Sequence, residues 1–220
     1  GNDFKISNLS IDVGAGNDLL GLFGRIDGAT IKNLGLESIE ISGNEYIGGM
    51  VGQMWYHNNG SNITNCYSTG SVDGNEYVGG MVGDIKGNRD SCNISNCFSN
   101  SQVSGNSIVG GLVGANSGII SNCYTTGVVS GKYYIGGMVG ENNYTINNCY
   151  ATGSVDGNDY VGGLVGQNNG DISNCFTNGS VTGNDYVGGL AGYNSWIISI
   201  CYATGSVDGN DYVGGLGGYN

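Results

Sequence analysis

Gly157-Asn-Asp-Tyr-Val-Gly-Gly-Leu-Val-Gly166, a polar turn, then Ile172-Ser-Asn-Cys-Phe-Thr-Asn-Gly-Ser-Val181: the chain writes this unit repeatedly, and the repetition decides the fold. Near-copies open at Gly43, Gly74, Gly105, Gly131, Gly157, Gly183 and Gly209, at spacings of 31, 31, 26, 26, 26 and 26 residues. A fixed period between about 20 and 50 residues marks a stacked architecture, in which one unit cannot bury its apolar face until a neighbour covers it. The apolar runs are short, β-branched or aromatic, and bounded by Gly, Asn, Asp and Ser, which is the pattern of strands joined by turns. No stretch sustains a helical apolar period, and each of the 45 glycines would cost a helix about 1 kcal/mol relative to Ala.

If each copy is one coil, equivalent residues stack about 4.8 Å apart and columns become the evidence. One column runs Tyr46, Tyr77, Ile108, Tyr134, Tyr160, Tyr186, Tyr212, and another runs Val72, Val103, Val129, Val155, Val181, Val207. A third is Cys66, Cys97, Cys123, Cys149, Cys175 and Cys201. Leu9 and Leu34 take the corresponding place in the two degenerate N-terminal units, so the column reads as buried, reduced thiols packed like small hydrophobes. A disulfide framework and a soft-metal ladder are the alternatives. The Asn before each Cys, at 65, 96, 122, 148 and 174, reads as a stacked polar ladder at a left-handed corner.

The strings Gly-Gly-Met-Val-Gly at 48–52 and 79–83 and Gly-Gly-Leu-Val-Gly at 110–114 and 162–166, each followed by an Ile-Ser-Asn-Cys-Tyr type strand, resemble the GLUG repeat over nearly the whole chain. The resemblance implies a β-solenoid region of a bacterial or archaeal surface protein, similar to those of adhesins and of the non-catalytic part of some immunoglobulin-A-cleaving metallopeptidases. The His-Glu-x-x-His zinc motif of those peptidases is absent, and His57 is the sole histidine, so no peptidase chemistry carries over.

Six Lys and Arg against eighteen Asp and Glu give a net charge of −12, which argues against nucleic acid, whose phosphates need clustered cations. No run approaches the apolar length needed to cross a bilayer, and the repeat phase at the two ends is that of a piece of a longer protein. Catalysis is not expected: carboxylates abound, yet Lys5, Arg25, Lys32, Lys86, Arg89 and Lys132 form no column to match them. Calcium is the one candidate cofactor, through Asp156, Asp159, Asp208 and Asp211 around Gly-Asn turns, although turns select the same residues for their own sake. The candidate binding residues lie in two inserted loops, because eleven residues separate Gly52 from Ile63 and Gly83 from Ile94 where later coils use six. The first loop carries Trp55, Tyr56 and His57, the second Lys86, Arg89 and the off-column Cys92, which is read as an exposed or interchain thiol. Aromatics beside cations suit contact with a glycan or protein; the alternative is that they cover a sheet edge, and Trp196 reads as such an anchor.

The expectation is therefore an all-β chain: a right-handed parallel β-solenoid (β-helix) of about eight coils at roughly 26 residues per coil. Residues 1–220 form one repeat domain, with degenerate coils over 1–42, inserted loops in 43–104 and regular coils over 105–220. The function that follows is a non-catalytic structural or adhesive stalk of an extracellular or cell-surface protein. A filament or sheath subunit that self-associates through uncapped ends, and a polysaccharide-binding or polysaccharide-degrading β-helix, are the alternatives.

Overall fold

The computed structural model describes residues 4–14, 16, 18–55, 60–87 and 91–220. All pairing is parallel, and the strands form four sheets. One coil contributes to each sheet in turn. In the sixth, Tyr150–Ala151 and Val155–Asp156 lie in sheet 1, Asp159–Gly162 in sheet 2, Val165–Asn168 in sheet 3 and Asp171–Ser173 in sheet 4. Sheets 2 and 3 have eight strands each, which fixes eight coils and a parallel β-solenoid.

Register follows the repeat. Val161 pairs with Val187, Val165 with Ala191, Ile172 with Ile198 and Val155 with Val181, so each inward column is aliphatic from coil to coil. All but Ile198, which is half-buried, are fully or almost fully buried. Burying one contributes about 1.5–3 kcal/mol, while ordering each residue's backbone costs about 1–2 kcal/mol. A lone coil, whose few inward side chains must order 26 residues, does not balance; coils hold each other up.

Leu164 and Val165 both point inward, which strict alternation along one strand forbids. The chain bends at Gly163 and Leu164, so the two residues belong to different faces of the coil. The paired glycines serve close approach at that corner: a Cβ on Gly163 would sit 2.1 Å from the Gly189 carbonyl oxygen, and one on Gly162 2.0 Å from that of Val165. Left-handed backbone falls elsewhere, on Tyr46, Tyr77, Ile108, Tyr134, Tyr160, Tyr186 and Tyr212 (φ 52–58°) and on Asn65, Asn96, Asn122, Asn148 and Asn174 (φ 52–54°). Asn tolerates this region; tyrosine here gains from stacking, with ring centroids 4.6–4.8 Å apart from Tyr134 through Tyr212. Ile200, also left-handed, has neither advantage.

The expected Asn ladder is replaced by a different one. Of the corner asparagines, Asn65 bonds Asn33 (3.2 Å), but the continuous amide row is buried in sheet 3. Asn116 Nδ2 donates to Asn142 Oδ1 (2.8 Å), Asn142 to Asn168 (2.8 Å), Asn168 to Asn194 (2.7 Å) and Asn194 to Asn220 (2.6 Å). The same Nδ2 groups donate to the carbonyls of Tyr144 (3.2 Å), Gly170 (2.7 Å) and Trp196 (2.8 Å). Burial is thus matched by hydrogen bonding, as an interior amide requires. Ile26, Met54 and Ile85 hold the column in the earlier coils.

The first coil departs from the expected alignment. Phe4, not Leu9, pairs with Leu34, and Ser10 pairs with Glu40, so Leu9 falls beside Ile39 and is no counterpart of the cysteines. Leu34 is one, since Tyr67 pairs with Gly35 and Cys66 therefore follows Leu34.

Replacing Asn168 by Ala strands the second amide proton of Asn142 together with the amide and carbonyl of Gly170, each a loss of about 1–3 kcal/mol when buried. The variant should melt well below the parent and lose amide-exchange protection first at Gly170; an unchanged melt would contradict the assigned role of the ladder.

Candidate functional site

The inserted loops place Trp55 and Lys86 at the ends of adjacent strands, Val51–Trp55 and Val82–Lys86, in direct register. Tyr56, His57 and Arg89 lie outside the described residues. Trp55 is half-buried, with the Arg25 guanidinium 4.9 Å from its ring centroid and the Lys86 ammonium 5.4 Å from it. Arg25 belongs to the coil before and Lys86 to the coil after, so both cations meet the ring from neighbouring coils. Cation–π contacts of this kind contribute about 0.5–1 kcal/mol at exposed sites. They also occupy the ring faces a sugar would stack on, so the geometry favours a clamp across three coils over an open contact platform.

Beside this clamp runs a polar column, Arg25, Gln53, Asp84, Ala115, Glu141, Gln167, Tyr193 and Tyr219. Asp84 is buried and accepts a hydrogen bond from Gln53 Nε2 (2.8 Å). Burial pushes its carboxyl above the usual range, against the lowering effect of the Gln53 bond and Lys86. Ala115 leaves a small cleft of about 180 Å³ between Asp84 and Glu141, walled by Tyr77 and Lys86. The cleft could hold a polar group.

The acidic turns resolve into two columns. Asp159, Asp185 and Asp211 occupy successive coils, whereas Thr182 separates Asp156 from Asp208. Desolvation, and after it the like charges of Asp159 and Asp211, raise the Asp185 carboxyl. Among the described residues no three His, Cys, Asp or Glu side chains converge on a metal position.

The six column cysteines are free thiols, five of them buried and Cys201 half-buried. Each sulfur donates to the carbonyl two residues earlier, as Cys149 does to Asn147 (3.0 Å). Hydrogen bonding from the next thiol in the row and burial push Cys97 up to about 12, whereas the bonds from Cys149 and Cys201 draw Cys175 below the usual thiol range. Protonated thiols such as Cys97 are poor nucleophiles and poor metal ligands. Cys92 is corrected on two counts: it is buried, and it has a column, since Asn93 N donates to Ser61 O and Ile119 N to Cys92 O. Trp196, expected as a packed anchor, is instead 58% exposed.

Residues 43–73 and 157–182 match the family model described as the GLUG motif. No curated protein matches the chain. Among solved structures, a crystal structure of a Bacteroides ovatus protein carrying the provisional name immunoglobulin A1 protease is similar over 97% of this chain and 68% of its own. The TM-score is 0.65 and the identity 22%, a likeness of fold.

A carboxyl whose folded-state pKa is raised favours folding when protonated, so its contribution falls as pH rises from the unfolded-state value through the folded one. Asp84→Asn keeps the shape and a hydrogen bond to Gln53 while removing that charge. Its thermal midpoint should exceed the parent's at pH 7, with the difference vanishing below about pH 4. Equal midpoints at both pH values would show that the buried carboxylate carries no cost.

Proposed function

We propose that this chain, a parallel β-solenoid with two stretches that match the GLUG motif, is a non-catalytic spacer segment of a secreted or surface-displayed protein. The observation that carries the reading is the sameness of the coils: from the fourth onward, each sheet repeats its residue types in register at a constant 26-residue interval. Such a body behaves as a one-dimensional array, in which each unit contacts only its neighbours and length changes by whole units. Acidic corners keep it soluble, and no described helix is long and apolar enough to cross a membrane. An adhesive role belongs to the same reading, with the array holding a binding surface at a set distance.

A second reading is head-to-tail assembly, in which the coils of two copies pair strand to strand. An unpaired strand edge bearing apolar side chains invites another strand.

Inserting one, two and four extra copies of residues 157–182 after Thr182 separates the two. A spacer stays folded and monomeric in sedimentation, and its maximum dimension in small-angle scattering grows by about 4.8 Å per copy. Loss of folding on insertion would refute the modular array; growth of assemblies with protein concentration would favour the filament.

A further inference from the structure

One column of the solenoid departs from repetition in an informative way. It begins sheet 4, and hydrogen bonds at successive coils align Ala29, Ser61, Cys92 and Gly118, the row then continuing through Tyr144, Gly170 and Trp196. Two aromatic side chains therefore stand two coils apart, about 9.6 Å along the axis, with a glycine between them. No larger residue fits that middle position: a Cβ on Gly170 would lie 2.0 Å from the Tyr144 carbonyl oxygen. The gap is enforced by backbone packing, and it opens as a cleft of about 330 Å³ lined by Tyr144, Gly170, Trp196, Asn143, Asn169 and Asp171.

The buried asparagine row anchors all three positions of this column. Asn142, Asn168 and Asn194 bond the carbonyls of Tyr144, Gly170 and Trp196, and the Oδ1 atoms of Asn168 and Asn194 accept the amides of Gly170 (3.3 Å) and Trp196 (3.4 Å). Binding constellations need such support behind them to keep their geometry. At the rim, Asn169 Nδ2 donates to Asn143 Oδ1 (3.1 Å) and Ser195 Oγ to Asn169 Oδ1 (2.9 Å), which sets the amides in a fixed chain. Asp171 is exposed on the other side, an acceptor among otherwise uncharged lining groups.

We propose that the cleft between Tyr144 and Trp196 is a carbohydrate subsite that takes a single pyranose ring of a glycan. A pyranose offers an apolar C–H face to an aromatic ring and a rim of hydroxyls to amides and a carboxylate, and this cleft presents both in one place. Its volume is at the small end for ligand sites, which suits one ring. Trp196 supplies the stacking surface, Asp171 receives hydroxyl protons, and the second amide protons of Asn143 and Asn169, which already donate once each, to Glu141 and Asn143, remain to donate. This site stands apart from Trp55 and from the spacer reading, and each could fail without the other.

The test is titration of the 220-residue chain, carrying Trp55→Phe so that Trp196 alone reports, with the methyl glycosides of glucose, galactose, mannose and N-acetylglucosamine. Fluorescence and saturation-transfer NMR serve as readouts. At least one glycoside should shift the Trp196 emission saturably; Asp171→Asn should weaken it about tenfold, and Trp196→Ala should abolish the NMR transfer. Trp196 is largely exposed, so its loss should leave the circular dichroism unchanged, and Tyr144→Leu provides a second variant that should also lose affinity. Silence from all four glycosides up to about 50 mM would overturn the proposal. So would binding that survives Trp196→Ala, or saturable binding of indole or benzamide with none of the sugars.

Discussion

Parallel hydrogen bonding between one coil and the next, at a strand spacing of about 4.8 Å, is the constraint from which the rest of this molecule follows. It forces each side chain to lie over its counterpart 26 to 32 residues away, so every position must tolerate itself as a neighbour. Valine, isoleucine and cysteine satisfy that condition in the interior, tyrosine satisfies it by ring stacking, and asparagine by amide-to-amide hydrogen bonds. A carboxylate does not, and the raised Asp185 carboxyl between Asp159 and Asp211 shows the tension such stacking creates. The acids accordingly stay at exposed or half-exposed corners, apart from Asp84 with its glutamine partner.

The fold was legible because its signal is global: seven near-copies of one unit leave little choice of architecture. The strand faces were less so. Apolar residues of both parities in Val161-Gly-Gly-Leu-Val165 acquire meaning only once the bend at Gly163 and Leu164 separates two sheets. The first coil misled because the local string Ile6-Ser-Asn-Leu9 copies Ile31-Lys-Asn-Leu34, whereas pairing follows the longer strand Leu34–Ser42 and sets Phe4 opposite Leu34. Local likeness and register are different quantities.

The candidate site was less legible for a related reason. Cysteine and the asparagine before it catch the eye, but the amide row buried at 116, 142, 168 and 194 and ending at the exposed Asn220 has the same period and was there to be counted. Its role depends on an inward direction that a polar residue conceals. Trp196 reads in sequence as an anchor over a sheet edge; once the coils are stacked, Tyr144 and Gly170 are its neighbours. Function in a repeat array resides in departures from the repeat, and a departure acquires neighbours only through register.

Seen mechanically, the same sameness that makes the body extensible leaves few places where chemistry can gather. Buried free thiols line the interior, two cations are bound to Trp55, and the acids are spread along columns. The central claim is direct stacking of successive units, and distance between nitroxide labels on one exposed column measures it. Labels at Asn100 and Thr204, with Cys201 replaced by Ser, should lie about 19 Å apart, and moving the second label to Asn178 should shorten the distance by about one coil pitch of 4.8 Å. Distances that fail to step by that pitch would contradict the account.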